Sequence, residues 1–321
     1  MPSQRVHASE QTAWVAAPAG VVYGLLADAV RWPLLLPLPV HVERIDFDGV
    51  RERLRLWETD PAGERVRSLH LRRVLDPPAR TVAFEQEDAG RPGLPTTGTW
   101  SVEAHGETRS LLTLRQERAL EGTAAAGTPH SRQQWQRESA ALVAAVKEVA
   151  ERWERLDGLL LSFEDSVHVD GPAELVYDFL YRIGDWSGLL PHVDAVEVTE
   201  DEPGVQLAVL DTAGPDGRSV STRTVRLCFP SATRIVYKEP AAPGLIAAHS
   251  GEWSLVPEGD GVRVGCARQV MLREEAVEEV LGAGTGLVEA GRYVRTWLGR
   301  TGTETLTLAR WHAQSAVRRL R

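Results

Sequence analysis

Cysteine is nearly absent from this chain of 321 residues. The only two, Cys228 and Cys266, are too few to staple secreted domains of this size and fit a reducing compartment. Methionine is as scarce, at two residues, and five phenylalanines are outnumbered by ten tryptophans. No run of eighteen apolar residues occurs, so no segment reads as a transmembrane helix. Met1 to Val15 mixes Arg, His, Glu and Gln without the apolar stretch of a secretory leader, and the sequence reads as cytoplasmic. Dense Lys/Arg runs are also lacking, and a net charge of −9 repels polyphosphate, which argues against nucleic acid as a partner. No His-Glu-x-x-His spacing, Gly-x-Ser-x-Gly elbow or P-loop is present, and the two cysteines fall in different strand-like segments. No metal and no cofactor are therefore expected.

What is present is an ordinary globular composition, 43% hydrophobic and 25% charged, at a length suited to two domains of roughly 150 residues. The excess of tryptophan points to a ligand, because an indole offers flat apolar area with one N–H donor. Some of these rings are core filler.

A repeat organises the chain. Val15-Ala-Ala-Pro18-Ala19-Gly-Val-Val22-Tyr23 recurs as Val169-Asp-Gly-Pro172-Ala173-Glu-Leu-Val176-Tyr177, an offset of 154. The same offset pairs Leu26 with Leu180, Trp32 with Trp186 and Leu35-Leu36-Pro37 with Leu189-Leu190-Pro191. Read on, it pairs Gly63, Val66, Arg72, Arg80 and Val82 with Gly217, Val220, Arg226, Arg234 and Val236. At offset 153, Trp100 matches Trp253 and Arg115-Gln116 matches Arg268-Gln269. Two domains, 1–157 and 158–321, are expected, with the boundary near Asp157 to Leu161. Each copy reads as an alternating strand, a Pro-started helix, a Trp-containing turn, about six alternating segments and a long closing helix. The second closing helix is interrupted by Gly282-Ala-Gly284-Thr-Gly286. That stretch follows an acidic helical run rather than a strand, so it reads as a helix break and not a dinucleotide loop. The fold class is α+β: tandem domains, each a curved antiparallel sheet of about seven strands around a long C-terminal helix with an interior cavity.

Ala-Pro-x-x-x-Val-Tyr, the Trp turn, and Arg-Arg-Val ahead of Arg-Thr-Val in the first copy, with the same order of segments repeated in the second, resemble the START-like (helix-grip, Bet v 1-like) polyketide aromatase/cyclases, in their di-domain form. The resemblance implies an enzyme of bacterial type II polyketide biosynthesis. Such an enzyme closes a ring by aldol addition on a poly-β-ketone carried by acyl carrier protein, then dehydrates it. Tandem forms imply a chain already reduced at C9 and a first ring between C7 and C12. Further partners implied are a ketoreductase and the ketosynthase/chain-length factor. The resemblance also implies a pocket Arg on the strand ahead of Arg-Thr-Val: Arg226 in the second copy and Arg73 in the first, where internal alignment favours Arg72 instead. A guanidinium suits the task of holding an alkoxide. Thr222 and Thr224 share Arg226's strand face and leave room for a ligand. Trp186 and Trp32 match a pocket-mouth tryptophan, Trp253 and Trp100 a pocket-wall one, and Tyr177 follows on the Pro-started helix. His192, His249 and His312 are the candidate proton movers or ligand contacts, since imidazole titrates near neutrality. A different class of function, a non-catalytic carrier or receptor for a lipid, quinone or polyketide, fits the same fold. An almost wholly apolar lining would favour carriage, and an Arg among polar groups catalysis.

Overall fold

The computed structural model describes residues 6–88, 95–119, 129–214, 217, 219–240 and 244–319. The chain divides into two compact units, Met1–Leu156 and Asp157–Arg321. In the first, strand β1 (Val6–Val15) leads to helices α1 (Ala19–Ala27) and α2 (Trp32–Leu35). Strands β2 (Pro39–Phe47), β3 (Arg51–Thr59), β4 (Val66–Asp76), β5 (Thr81–Asp88), β6 (Thr96–Ala104) and β7 (Ser110–Ala119) follow, then helices α3 (Pro129–Glu151) and α4 (Trp153–Leu159). The second unit repeats this order with β8 (Leu160–Val169), α5 (Ala173–Tyr181), α6 (Trp186–Leu189) and β9 (Val193–Glu202). It continues with β10 (Val205–Ala213), β11 (Ser219–Phe229), β12 (Arg234–Glu239), β13 (Ile246–Glu258) and β14 (Gly261–Leu272), and closes with α7 (Val277–Leu281) and α8 (Leu287–Arg319). Each sheet has seven antiparallel strands, in the order β1-β7-β6-β5-β4-β3-β2 and β8-β14-β13-β12-β11-β10-β9. The expected α+β helix-grip fold is the one observed. No helix among the described residues is long and apolar enough to cross a membrane.

The local causes match the sequence. Pro18 and Pro172 stand at the N-caps of α1 and α5 with extended ψ of 142° and 138°, one residue earlier than a first-turn proline but equally free of a lost hydrogen bond. Gly282 and Gly284 take φ of +104° and +81°, a left-handed turn that ends α7 and separates it from α8. Along α8 the inward stripe is apolar twice. Ala290, Val294 and Leu298 join one core cluster with Val270 and Leu272, and Leu306, Ala309 and Ala313 join another with Val264 and Cys266. Between them stand Thr301, Gly302 and Thr305, the polar interval in which a cavity opens.

The repeat register differs from a constant offset. Six residues, 60–65, separate β3 from β4, against five, 214–218, between β10 and β11. The offset therefore drops to 153 at Val66, and the left-handed residues of the next turn, Arg80 and Thr233, carry it too. A second drop occurs where Ala104 pairs with Ser110 across five residues but Pro257 with Val262 across four. From there the offset is 152. Because side chains alternate faces along a strand, each one-residue slip exchanges inside for outside. Arg80 thus corresponds to Thr233 and not Arg234, and Gln116, not Arg115, corresponds to Arg268.

A glycine marks the same place in both sheets. Phe84 pairs with Gly98 and Tyr237 with Gly251, and the ring lies over the glycine. A Cβ on Gly251 would stand 2.5 Å from Tyr237 Cζ and 2.7 Å from the Ala267 carbonyl oxygen. Gly251→Ala is expected to destabilise the second unit by about 1–3 kcal/mol through overpacking. A denaturation midpoint equal to wild type would show that the ring does not occupy this position.

Candidate active site

The second unit encloses a cavity of about 130 Å³, lined by residues of the α5–α6 turn, the inner sheet face and α8. Arg226 lies in its wall, 2% exposed. Its Nη1 donates to Gln206 Oε1 at 2.6 Å and to the Tyr181 carbonyl at 3.4 Å, and its Nη2 donates to the Leu180 carbonyl. Helix α5 ends at Tyr181, so the guanidinium takes carbonyls that the last turn leaves unpaired and meets the negative end of the helix dipole. The Trp186 ring faces it at 5.5 Å and is held by its own Nε1 donating to the Phe179 carbonyl at 3.1 Å. Burial lowers the Arg226 pKa, but arginine stays charged. Among the described residues no carboxylate forms an ion pair with it. Its opposite number in the register is Gln206, whose Nε2 donates to Glu200 at 2.8 Å.

The first unit builds the same clamp with one change. Arg73 Nη2 donates to the carbonyls of Leu26 at 2.6 Å and Ala27 at 3.2 Å, and Trp32 faces the guanidinium at 4.9 Å while donating to the Leu25 carbonyl. Opposite Arg73 stands Glu52, with Oε1 3.3 Å from Arg73 Nε and a side chain shut off from solvent. Burial pushes Arg73 down to about 10 against the pull of Glu52. The buried cation meets a carboxylate directly here, whereas in the second unit Glu200 acts on it only from behind the bridging Gln206. Arg72 is a correction: its side chain is 62% exposed, 3.6 Å from Glu85, because the register slip at the β3–β4 turn puts it on the outer face. Trp100 is buried in the first unit.

Of the expected contacts, Trp186, Trp253, Thr222, Thr224, His192 and His249 all line the second-unit cavity. His249 Nδ1 lies 2.9 Å from Glu239 Oε2 and its Nε2 3.4 Å from the Tyr237 hydroxyl. His192 Nδ1 lies 2.8 Å from Glu304 Oε2. Two expectations are corrected. His312 is not in the lining; α8 carries it about two turns beyond Thr305, where its ring packs on Phe179 at 5.5 Å. Tyr177 is not in it either: its ring stacks on Tyr181 at 6.2 Å and packs against the core, and burial raises its pKa.

Sequence reading missed Tyr237, Glu239, Thr301, Thr305 and Arg268, all in the lining. Arg268 is 5% exposed, donates to Asp165 at 3.3 Å and lies 5.8 Å from the Trp253 ring. Pairing it with Arg115, whose side chain is 64% exposed beside Glu10, hid its inward position. Gly302 was the available signal: a Cβ there would clash with the Arg268 guanidinium. The first-unit positions that match the lining read Leu69 for Thr222, Leu71 for Thr224, Phe84 for Tyr237, Gln86 for Glu239, Thr96 for His249 and Gln116 for Arg268. Burial also pushes the thiols of Cys228 and Cys266 up to about 11, which leaves them unreactive at neutral pH.

A family model described as polyketide cyclase/dehydrase and lipid transport matches residues 169–291. Over 317 residues the chain is 33% identical to the granaticin polyketide synthase bifunctional cyclase/dehydratase of Streptomyces violaceoruber, covering 98% of this chain and 97% of that protein. It is 31% identical over 311 residues to the actinorhodin polyketide synthase bifunctional cyclase/dehydratase of Streptomyces coelicolor, covering 94% of each. Among solved structures it is similar to the di-domain ARO/CYC BexL from the BE-7585A biosynthetic pathway, with a TM-score of 0.84, 35% identity and 96% and 98% of the two chains covered. The di-domain ARO/CYC StfQ from the steffimycin biosynthetic pathway is similar at a TM-score of 0.83 and 28% identity, covering 96% and 99%.

With Trp186 and Trp253 both in the cavity wall, tryptophan emission is expected to quench and saturate on titration with 1-naphthol. Trp253→Phe should lower the quench amplitude, and Trp100→Phe should leave the binding curve unchanged. Equal curves for wild type and Trp253→Phe would remove the ligand from this cavity.

Proposed function

The chain belongs to the di-domain polyketide aromatase/cyclases, the bifunctional cyclase/dehydratases of polyketide synthases, and from that membership we propose that its substrate is a C9-reduced poly-β-ketone tethered to an acyl carrier protein. The first ring closes between C7 and C12 and is then dehydrated to an aromatic ring, with the chemistry in the second unit. What carries this reading is a cation without a direct ion pair: Arg226 stands opposite Gln206 where Arg73 stands opposite Glu52. A lining that mixes Arg226, Arg268, His249, Glu239 and threonines with tryptophan suits catalysis better than the carriage of an apolar ligand.

The steps ask little of the protein. The methylenes between two carbonyls are already acidic. The cavity has to fold the chain so that one methylene carbon lies against the ketone it attacks. Three of the five N–H groups of Arg226 are given to protein acceptors, which fixes the fork and leaves two for the ketone oxygen as it becomes an alkoxide. Trp186 and Trp253 hold the flat growing ring. A chain of this size occupies more than the open 130 Å³, since pockets for drug-sized ligands run from ~300 Å³ upward. Side chains that line it therefore have to move aside on entry.

Loss of a charged donor at a developing oxyanion typically costs about 10²–10³ in rate. In a reconstituted minimal polyketide synthase with ketoreductase, Arg226→Ala is expected to replace the aromatised product with mis-cyclised shunts, with the fold checked by circular dichroism. Arg226→Lys should recover part of the product, having charge without the planar fork. Arg73→Ala should lower thermal stability more than product yield. Wild-type product from Arg226→Ala together with an inactive, folded Arg73→Ala would move the chemistry to the first unit.

A further inference from the structure

We propose that Tyr237, His249 and Glu239 form the proton-transfer unit for the dehydration step, with Glu239 acting as the positioning residue for His249; the proposal rests on the second-unit cavity being the site of the chemistry. Glu239 and His249 face each other across β12 and β13 in direct register, and both line the cavity with Tyr237. His249 is 3% exposed and Tyr237 7%. The carboxylate accepts from Nδ1 at 2.9 Å, which fixes the tautomer and leaves Nε2 bare toward the Tyr237 hydroxyl, 3.4 Å away. The two rings meet edge to face at 87°. Burial holds the Tyr237 hydroxyl well above its ordinary pKa, so it keeps its proton, while the positive charge of Arg268 nearby eases the anion.

The sheet does not need this trio. At the equivalent inward positions the first unit carries Phe84, Gln86 and Thr96, with Gln86 and Thr96 in the same cross-strand register and the Phe84 ring over Gly98 as Tyr237 lies over Gly251. None of those three groups exchanges a proton near neutrality. An acid, a base and its carboxylate, gathered in the unit whose buried arginine has no direct ion pair, fit the reaction better than the fold.

The step balances. The ring-closed adduct of a C9-reduced chain carries hydroxyls at C7 and C9 and loses both as water to become aromatic; at each, a hydrogen stands on the neighbouring carbon and the same transfer applies. Nε2 of His249 takes the carbon-bound proton, and that electron pair forms the C=C bond. The C–O bond breaks with its pair going to oxygen, which takes the Tyr237 proton and leaves as water. The imidazolium, held by Glu239, then returns its proton to the tyrosinate across the 3.4 Å gap, and both groups are reset.

The full chain tests this in two measurements. In the reconstituted synthase, Tyr237→Phe and Glu239→Gln are expected to yield a ring-closed product heavier than the wild-type aromatic product by the two waters of C7 and C9, or by one where the aldol hydroxyl leaves unaided, because cyclisation is retained and elimination is not. The first unit shows that Phe and Gln fit these strand positions. With 3-hydroxy-1-tetralone as probe, wild type should accelerate formation of 1-naphthol, and each variant should lose about 10²-fold or more of that rate. Glu239→Gln should also shift the acid limb of the pH–rate profile, with Glu239→Asp restoring rate and limb in part. Aromatic product at wild-type level from both variants, or an unchanged profile in Glu239→Gln, would overturn the assignment. A wild-type protein that failed to alter the synthase products at all would instead sink the parent reading.

Discussion

A guanidinium on an inner strand, clamped to the end of a nine-residue helix, is the interaction on which both units depend. Helices α1 and α5, of nine residues each, are too short to be stable alone, and their last turns leave carbonyls without an intrahelical donor. Arg73 and Arg226 satisfy those carbonyls and fix the helix to the sheet, and the following Trp closes over the guanidinium in each. Removing one partner from such a buried arrangement costs on the order of 3–5 kcal/mol, so the clamp is part of the fold in both units. The two units differ in what faces it. Glu52 makes the first clamp a closed ion pair, and Gln206 leaves the second with a charge that a developing alkoxide can answer.

The same division of labour appears on the closing helix. Helix α8 packs Val294 and Leu298 at one end and Leu306 and Ala309 at the other, and the threonines and glycine between them cannot fill the space to the sheet. Arg268 reaches into that interval because Gly302 has no side chain. The first unit instead puts Leu54, Leu56, Leu69 and Leu71 into one apolar cluster. Packing is satisfied in one copy and traded for polar lining in the other.

The elements themselves were legible. The prolines, the glycine break and strand alternation are local signals, and a repeat of 150 residues shows by eye. The site was legible only where register survived. Arg226, His249 and Trp253 lie on strands that sequence could place, but one residue gained in the β3–β4 turn made Arg72 look equivalent to Arg226. One more in the β6–β7 turn made outward Arg115 look equivalent to Arg268. Tyr237 and Glu239 passed unremarked because nothing in the local sequence says which face of a six-residue strand is inside. His312 illustrates the helical counterpart, a side chain carried beyond the cavity by the rise of α8. Gln206 was invisible for a different reason: a neutral amide means something only once a carboxylate is seen at its counterpart.

The central claim is that catalysis needs the Arg226 guanidinium to stay free of a direct carboxylate partner, and Gln206→Glu tests it. Because Glu52 occupies the same place opposite Arg73, the variant has a built-in precedent for folding. Because Gln206 Nε2 faces Glu200, the variant is made together with Glu200→Gln, and the account predicts that the pair folds yet yields little or none of the aromatic product in the reconstituted synthase. Full wild-type product from the double variant would contradict it.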